Sequence, residues 1–309
     1  MQLFLKKVVQ FLLATLIVYL ATVFMLGKGR IMFKGLNFFP IRPSRMINQI
    51  EDLGSIKKLN VLFLGSSHTY MSFDPRIFKK AGYTSFNFGS SSQTPLQGEF
   101  LYSKFVEEID VDLIVYEICP LDIASSGVES NIELLNAMEL DFPLFKLVLS
   151  LKTFRSINSL VYFVFNQWEG KLPEEKIDYE YIRGTGYSPI FKTAPKIKQK
   201  QKTSIFEVEE KQLAALFNLT NGWKRKNQKF ILVQTPVTRN YYASISNSSE
   251  IDSLFNQIGP YVNYNNLENS FVLNLNDTID FFDAHHLNQN GVEKFNQIFL
   301  ADIEKLNLK

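Results

Sequence analysis

Residues Asn60–Tyr70 read NVLFLGSSHTY, an apolar run that stops at a glycine followed by two serines and a histidine. An apolar run without polar alternation suits a strand buried on both faces, the habit of parallel sheets. Counted from Leu59 to Leu64, this run is the first of five. The others are Thr84–Phe88 (TSFNF), Val111–Ile118 (VDLIVYEI), Lys229–Gln234 (KFILVQ) and Phe271–Leu275 (FVLNL). Helical spacing fills the intervals Pro95–Ile109, Phe206–Lys226 and Glu250–Asn266. Near the C-terminus, Val292, Phe295, Phe299, Ile303 and Leu306 recur at steps of three and four, with Asn288 available as a cap. Strands alternating with helices predict an α/β domain around a doubly wound parallel sheet of about five strands. The interval 123–205 breaks the rhythm. An aromatic helical stretch, Phe142–Phe165, precedes RGTGYSPIFKTAPKIKQKQK, so the interval reads as an insertion. Lys196, Lys198, Lys200 and Lys202 read as a solvated loop face.

Composition narrows the function classes. The 309 residues are 46% hydrophobic, and 33 basic against 31 acidic residues leave a formal charge of +2. Such a chain is neither disordered nor collagen-like, and it lacks the basic excess that would draw nucleic acid. Cys119 is the sole cysteine, which excludes an internal disulfide and a cysteine-based zinc cluster. Histidine is scarce: His68, His285 and His286.

The stretch Val8–Leu26 carries no charge. As a helix it would be about 28 Å long, close to the roughly 30 Å hydrocarbon core of a bilayer. It is longer than a usual signal-peptide core, and no clear A-x-A site precedes the polar stretch. A membrane anchor is therefore preferred to a cleaved signal or a buried helix. Lys6 and Lys7 before it and Lys28, Arg30 and Lys34 after it give only a weak orientation signal. The chain then divides into an anchor (1–27), a linker with a short helix (28–58) and an α/β domain (59–309).

Three segments could carry chemistry. In a doubly wound sheet ligands bind at the carboxyl ends of the strands, where Gly65 would let the chain turn and present the serines. A serine so placed is a nucleophile only if a base reaches it. The base is sought in DFFDAHHLNQNG (280–291), where Asp283 and His286 stand three apart, so that Asp283 could orient an imidazole facing Ser67. The third segment is SFNFGSSSQTP (85–95), a turn able to offer backbone N–H groups to a developing oxyanion, or simply a polar turn before a helix.

Together these segments resemble the SGNH/GDSL hydrolase superfamily. Gly65-Ser66-Ser67 is similar to its G-D-S block, with Ser66 in place of aspartate, and Asp283-Ala284-His285-His286 matches D-x-x-H. Asn87–Ser92 stands at the N-x-x-x-x-G block with serine for the glycine. Cys119-Pro120-Leu121-Asp122 stands at G-x-N-D without the asparagine. The resemblance covers about 58–122 and 229–307. It implies a flavodoxin-like three-layer fold and ester chemistry needing no cofactor and no metal, with Ser67, His286 and Asp283 as catalytic residues. Oxyanion or substrate contacts would come from Ser92 and Gly89, with His68 or the insertion replacing the missing asparagine. The N-terminal anchor looks like the membrane-bound branch that handles acyl groups on envelope polymers. That branch implies an extracytoplasmic domain, an acylated glycan or lipid substrate and a membrane acyltransferase as partner. Two other readings stand beside it. One is a binding protein that kept the fold and lost the rate. The other is a divalent metal on His68, Asp283, His285 and His286, although adjacent histidines rarely point to one ion.

Overall fold

The computed structural model describes residues 1–28, 45–169, 180–193 and 202–305. Lys196, Lys198, Lys200 and Leu306 lie outside them. In chain order the elements are α1 (Gln2–Lys28), α2 (Arg45–Leu53), β1 (Lys58–Gly65), α3 (Ser67–Ser72), α4 (Pro75–Lys80), β2 (Ser85–Gly89) and α5 (Pro95–Leu101), which runs into a π-helical turn at Tyr102–Val106. Then come β3 (Asp110–Glu117), α6 (Pro120–Ala124), α7 (Val128–Ala137), α8 (Phe142–Ser150), α9 (Phe154–Glu169), α10 (Glu210–Arg225) and β4 (Phe230–Gln234). The chain closes with α11 (Arg239–Tyr242), α12 (Ser248–Ile258), β5 (Tyr261–Asn263), α13 (Leu267–Leu273) and α14 (Gln289–Lys305).

The five strands pair in parallel in the order β2-β1-β3-β4-β5, the doubly wound arrangement whose topology switches between β1 and β3. Strand alternation sends Leu62 and Leu64 to one face and Val61 and Phe63 to the other. The first face packs against α5, α10 and α12 through Leu101, Trp223 and Phe255. The second is covered by α14, whose Val292, Phe295, Phe299 and Ile303 are buried at the expected helical spacing. Asn288 caps α14 by accepting the N–H groups of Asn290 and Gly291 at 3.0 and 3.2 Å.

The fifth strand is not where the sequence placed it. FVLNL lies mostly in α13, with Phe271 86% exposed. Asn266 caps this helix on Asn269 N–H, and Asn274 ends it in the left-handed region at φ 47°. The real strand, Tyr261–Asn263, sits inside the interval read as one helix to Asn266. Gly259 and Pro260 end α12 there, since proline disfavours helix in the residue before it.

Two segments outside the strand-and-helix alternation also pack into the core. Helix α2, the short helix expected within 28–58, packs on the body: Met46 and Leu53 are in the core, and Gln49 Nε2 donates to the carbonyls of Asn87, Gly89 and Gly186. Within the insertion, Leu134, Leu135, Leu144 and Val148 join the same core. Helix α1 is exposed from Gln2 to Val18, and its span Gln2–Gly27 is long and apolar enough to cross a membrane.

Candidate active site

The site forms where β1 gives way to α3, at the carboxyl edge of the sheet beside the β1/β3 switch. Gly65 holds φ 137°, and a Cβ there would stand 2.5 Å from the Glu117 carbonyl oxygen, so glycine is required for the turn. Ser66 caps α3 by accepting the His68 N–H, and Ser67 becomes the first helical residue. Ser67 Oγ is 2.8 Å from His286 Nε2, and His286 Nδ1 is 2.8 Å from Asp283 Oδ2. The structure thus brings together the three residues that the sequence reading named.

The loop carrying Asp283 is built locally. Asp283 Oδ1 accepts the N–H groups of both His285 and His286 at 2.9 Å, folding the four-residue segment around its own carboxylate. Thr238, just after β4, donates through its N–H and its hydroxyl to the Ala284 carbonyl, which pins the loop against the sheet. Burial would raise the Asp283 carboxyl. The hydrogen bond to His286 and the two neighbouring imidazoles outweigh it and hold the group well below the usual carboxylate range. An ionised Asp283 is what orients an imidazole and stabilises its cation.

A second network lies beneath the first. Ser66 Oγ donates to Glu117 Oε2 at 3.0 Å and sits 3.2 Å from His68 Nδ1, while His68 Nε2 is 3.1 Å from His285 Nδ1. Burial, and then the charges of His286 and His285, hold His68 well below its ordinary range. Glu117 is fully buried at the end of β3. Burial pushes its carboxyl well up and the nearby Asp122 adds to this, against the bonds from Ser66. Asp122, which accepts Cys119 N–H at the start of α6, is itself pushed up to about 7 by burial. The sequence reading missed Glu117. Its one signal was an acid at the carboxyl end of the apolar run Leu113–Tyr116. Replacing Ser66 with alanine is expected to cost about 1–2 kcal/mol of stability, because it removes a helix cap and leaves Glu117 Oε2 without its donor. Turnover should be largely kept, and denaturant unfolding beside an ester assay tests both halves.

His285 stands apart from the Ser67 relay. Its ring packs against His286, His68 and Tyr241 at centroid distances of 4.0, 5.2 and 5.3 Å. Burial first, and then the charge of His286, lower its pKa to about 4. An unfolded chain takes up this proton near pH 6.5, whereas the folded chain refuses it until about pH 4. Stability from this group is therefore complete above about pH 6.5 and drains away as pH falls towards 4. His285→Gln should flatten that part of a Tm-against-pH curve; an unchanged slope would refute the assignment.

The expected oxyanion contacts fare differently. The Gly89 N–H is turned to Asn87 Oδ1 at 3.2 Å, so it is not free for a ligand. A Cβ at Gly89 would meet Thr69 Cβ at 2.6 Å, so this glycine serves the close approach of β2 to α3. Both ring nitrogens of His68 face protein groups, so it braces the wall instead of replacing the missing asparagine. Ser92 adopts φ 50° and donates its hydroxyl to Glu129 at 2.9 Å, while Ser91 N–H is bound by Glu133 at 2.6 Å. The turn is thereby tied to α7, and Ser92 N–H has no hydrogen-bond partner among the described residues. Leu121, where the asparagine would stand, is 42% exposed and offers no side-chain donor.

Among the described residues, two sets of donor atoms are spaced for a cation: His68, His285 and His286, and the buried group His68, Glu117, Cys119 and Asp122. In the first, both His286 nitrogens already face Ser67 and Asp283, so a cation there would displace one of those contacts.

No family model and no curated protein matches the chain. Solved structures do. A GDSL-like lipase from Bacteroides thetaiotaomicron is 14% identical over 84% of this chain and 99% of its own, with a TM-score of 0.41. A catalytic mutant of an acetylxylan esterase from Geobacillus stearothermophilus is 12% identical over 80% and 95%, with a TM-score of 0.42. A two-domain esterase active on acetylated mannans is 12% identical over 86% of this chain and 54% of its own, with a TM-score of 0.44. One of these neighbours is thus a GDSL-like lipase and the other two are esterases.

Proposed function

We propose that this chain is a membrane-anchored serine esterase or acyltransferase of the SGNH type, acting on acyl or O-acetyl groups of cell-envelope glycans or lipids. The reading rests on the unbroken chain from Ser67 Oγ through the His286 ring to Asp283, with 2.8 Å at each link. Ser67 would attack the ester carbonyl as His286 Nε2 takes its proton. The resulting imidazolium would then return the proton to the departing alkoxide, leaving an acyl-serine. Water or a sugar hydroxyl, deprotonated by the same nitrogen, would release the acyl group. The N–H groups of Ser67 and Ser92 are the proposed oxyanion donors. In this reading residues 1–27 anchor the body, 28–58 lead to it through α2, and 59–309 carry the chemistry outside the cytoplasm, beside a membrane acyltransferase that supplies acyl groups.

A fluorophosphonate probe tests the proposal on the full chain. Labelling that maps to the Ser67 peptide, together with acetate release from an acetylated glycan, supports it. The lack of a side-chain donor at Leu121 favours a second reading, a binding protein without turnover. A chain that binds acetylated glycan yet takes no probe would establish that reading instead. Alkaline phosphatase fused at the C-terminus reports the side of the membrane, since that enzyme needs oxidising conditions for its disulfides.

A further inference from the structure

From the apolar outer surface of α8 and α9 we infer that these two helices form a second membrane contact, dipping into the lipid beside α1. The inference rests on reading α1 as a membrane span. Helix α8 reads FPLFKLVLS and is apolar on both sides. Leu144, Leu147 and Val148 face the core, while Phe142 at 71% exposure, Phe145 and Leu149 face outward. Helix α9 continues this surface with Phe154, 87% exposed, and Val164. A helix that is apolar all round belongs inside a protein or against lipid, and no described residue covers this side.

Two observations name lipid as the occupant. The first is position. Helix α9 runs alongside the end of α1: Tyr19 hydroxyl donates to Asn158 Oδ1 at 2.6 Å, and the Phe24 and Phe165 rings meet at 5.5 Å. Both pairs advance in the same direction, so the two helices run roughly parallel, and Phe154 lies one turn back from Asn158 towards the exposed part of α1. The uncharged part of α1, Val8–Leu26, is about 28 Å long and fills a hydrocarbon core of roughly 30 Å, with Lys6 and Lys7 at the far headgroups. The packed end of α1 from Tyr19 to Gly27, about 12 Å of helix, therefore runs from within the hydrocarbon core out to the headgroups, and α9 beside it shares that depth, with Phe154 at its deeper end. The second is charge. Along α8 and α9 the basic residues are Lys146, Lys152 and Arg155, against the capping Asp141 and the terminal Glu169. Aromatic side chains among lysines and an arginine are the composition of an interfacial element facing anionic headgroups. Lys146 Nζ lies 5.3 Å from the Phe142 ring centroid, so its stem covers the apolar surface. Two contacts instead of one would fix the tilt of the body, and with it the height of Ser67 above the bilayer.

The test uses the full chain in nanodiscs of mixed zwitterionic and anionic phospholipid, with a fluorophore on Phe145→Cys or Phe154→Cys. The native thiol of Cys119 is buried and does not compete. Leu12→Cys reports the span, and Phe271→Cys is an exposed reference on α13. The expected result is that lipid-borne nitroxide quenches the labels at 145, 154 and 12, while aqueous iodide quenches only the one at 271. If iodide reaches 145 and 154 as freely as 271 while the label at 12 answers to lipid, the anchor stands and this inference fails. If iodide reaches the label at 12 as well, the anchor reading itself fails. Protection from both quenchers means that protein, a second copy or a partner, covers the surface, and this too overturns the inference.

Discussion

Ser67→Ala is expected to lower ester turnover by on the order of 10⁶-fold, the loss seen when a triad nucleophile is removed. That is about 8 kcal/mol of barrier at 1.36 kcal/mol per decade. Ser67 alone has its hydroxyl on His286 Nε2; the Ser66 hydroxyl is turned inward to Glu117 at 3.0 Å. The two serines are adjacent, yet α3 begins between them, so one caps the helix and the other heads it. Single-turnover release of a chromogenic acetate ester, run on Ser67→Ala and Ser66→Ala side by side, gives the answer. A dead Ser66→Ala beside an active Ser67→Ala would transfer the nucleophile to Ser66 and break the geometric argument.

The second large effect separates two neighbouring histidines. His286→Ala should lose at least about 10³-fold in turnover, since it removes the group that receives the Ser67 proton. His285→Ala should lose far less, because its ring faces His68 and Tyr241 and has no contact with Ser67 Oγ. The two variants are compared by kcat with folding checked by circular dichroism. Equal losses would mean that His285 shares the base role. Asp283→Asn adds a third point: it retains an acceptor for the loop N–H groups while its amide donor replaces the carboxylate oxygen at His286 Nδ1, so a large loss there reports the orientation and charge supplied to the imidazole and not the loop.

Sequence and structure agree most closely where the physics is local. Buried parallel strands announce themselves as apolar runs, and four of the five were legible that way. The fifth was lost because β5 has only three residues, YVN, too few for a period. FVLNL mimicked a strand because apolar content alone does not distinguish a short strand from a short capped helix. The caps at Asn266 and Asn274 decide that case, and they act through backbone N–H groups and dihedral angles that composition does not reveal.

The candidate site divides along the same line. The spacing Asp283-x-x-His286 was readable because a loop of that length lets one carboxylate hold two backbone N–H groups and one imidazole, a purely local construction. The turn Gly65-Ser66-Ser67 was readable because a strand ending in glycine must bend. Contacts between distant parts of the chain were decided only by the tertiary structure. It set the Ser67–His286 contact across 219 positions and turned the Gly89 N–H to Asn87. It also placed Glu117 under Ser66, and Glu129 and Glu133 on the turn at Ser91 and Ser92. A carboxylate at a strand end looks the same in sequence whether it faces water or a buried serine. The difference lies in which other strands and helices the parallel order β2-β1-β3 brings against it, and that order follows from the packing of both sheet faces at once.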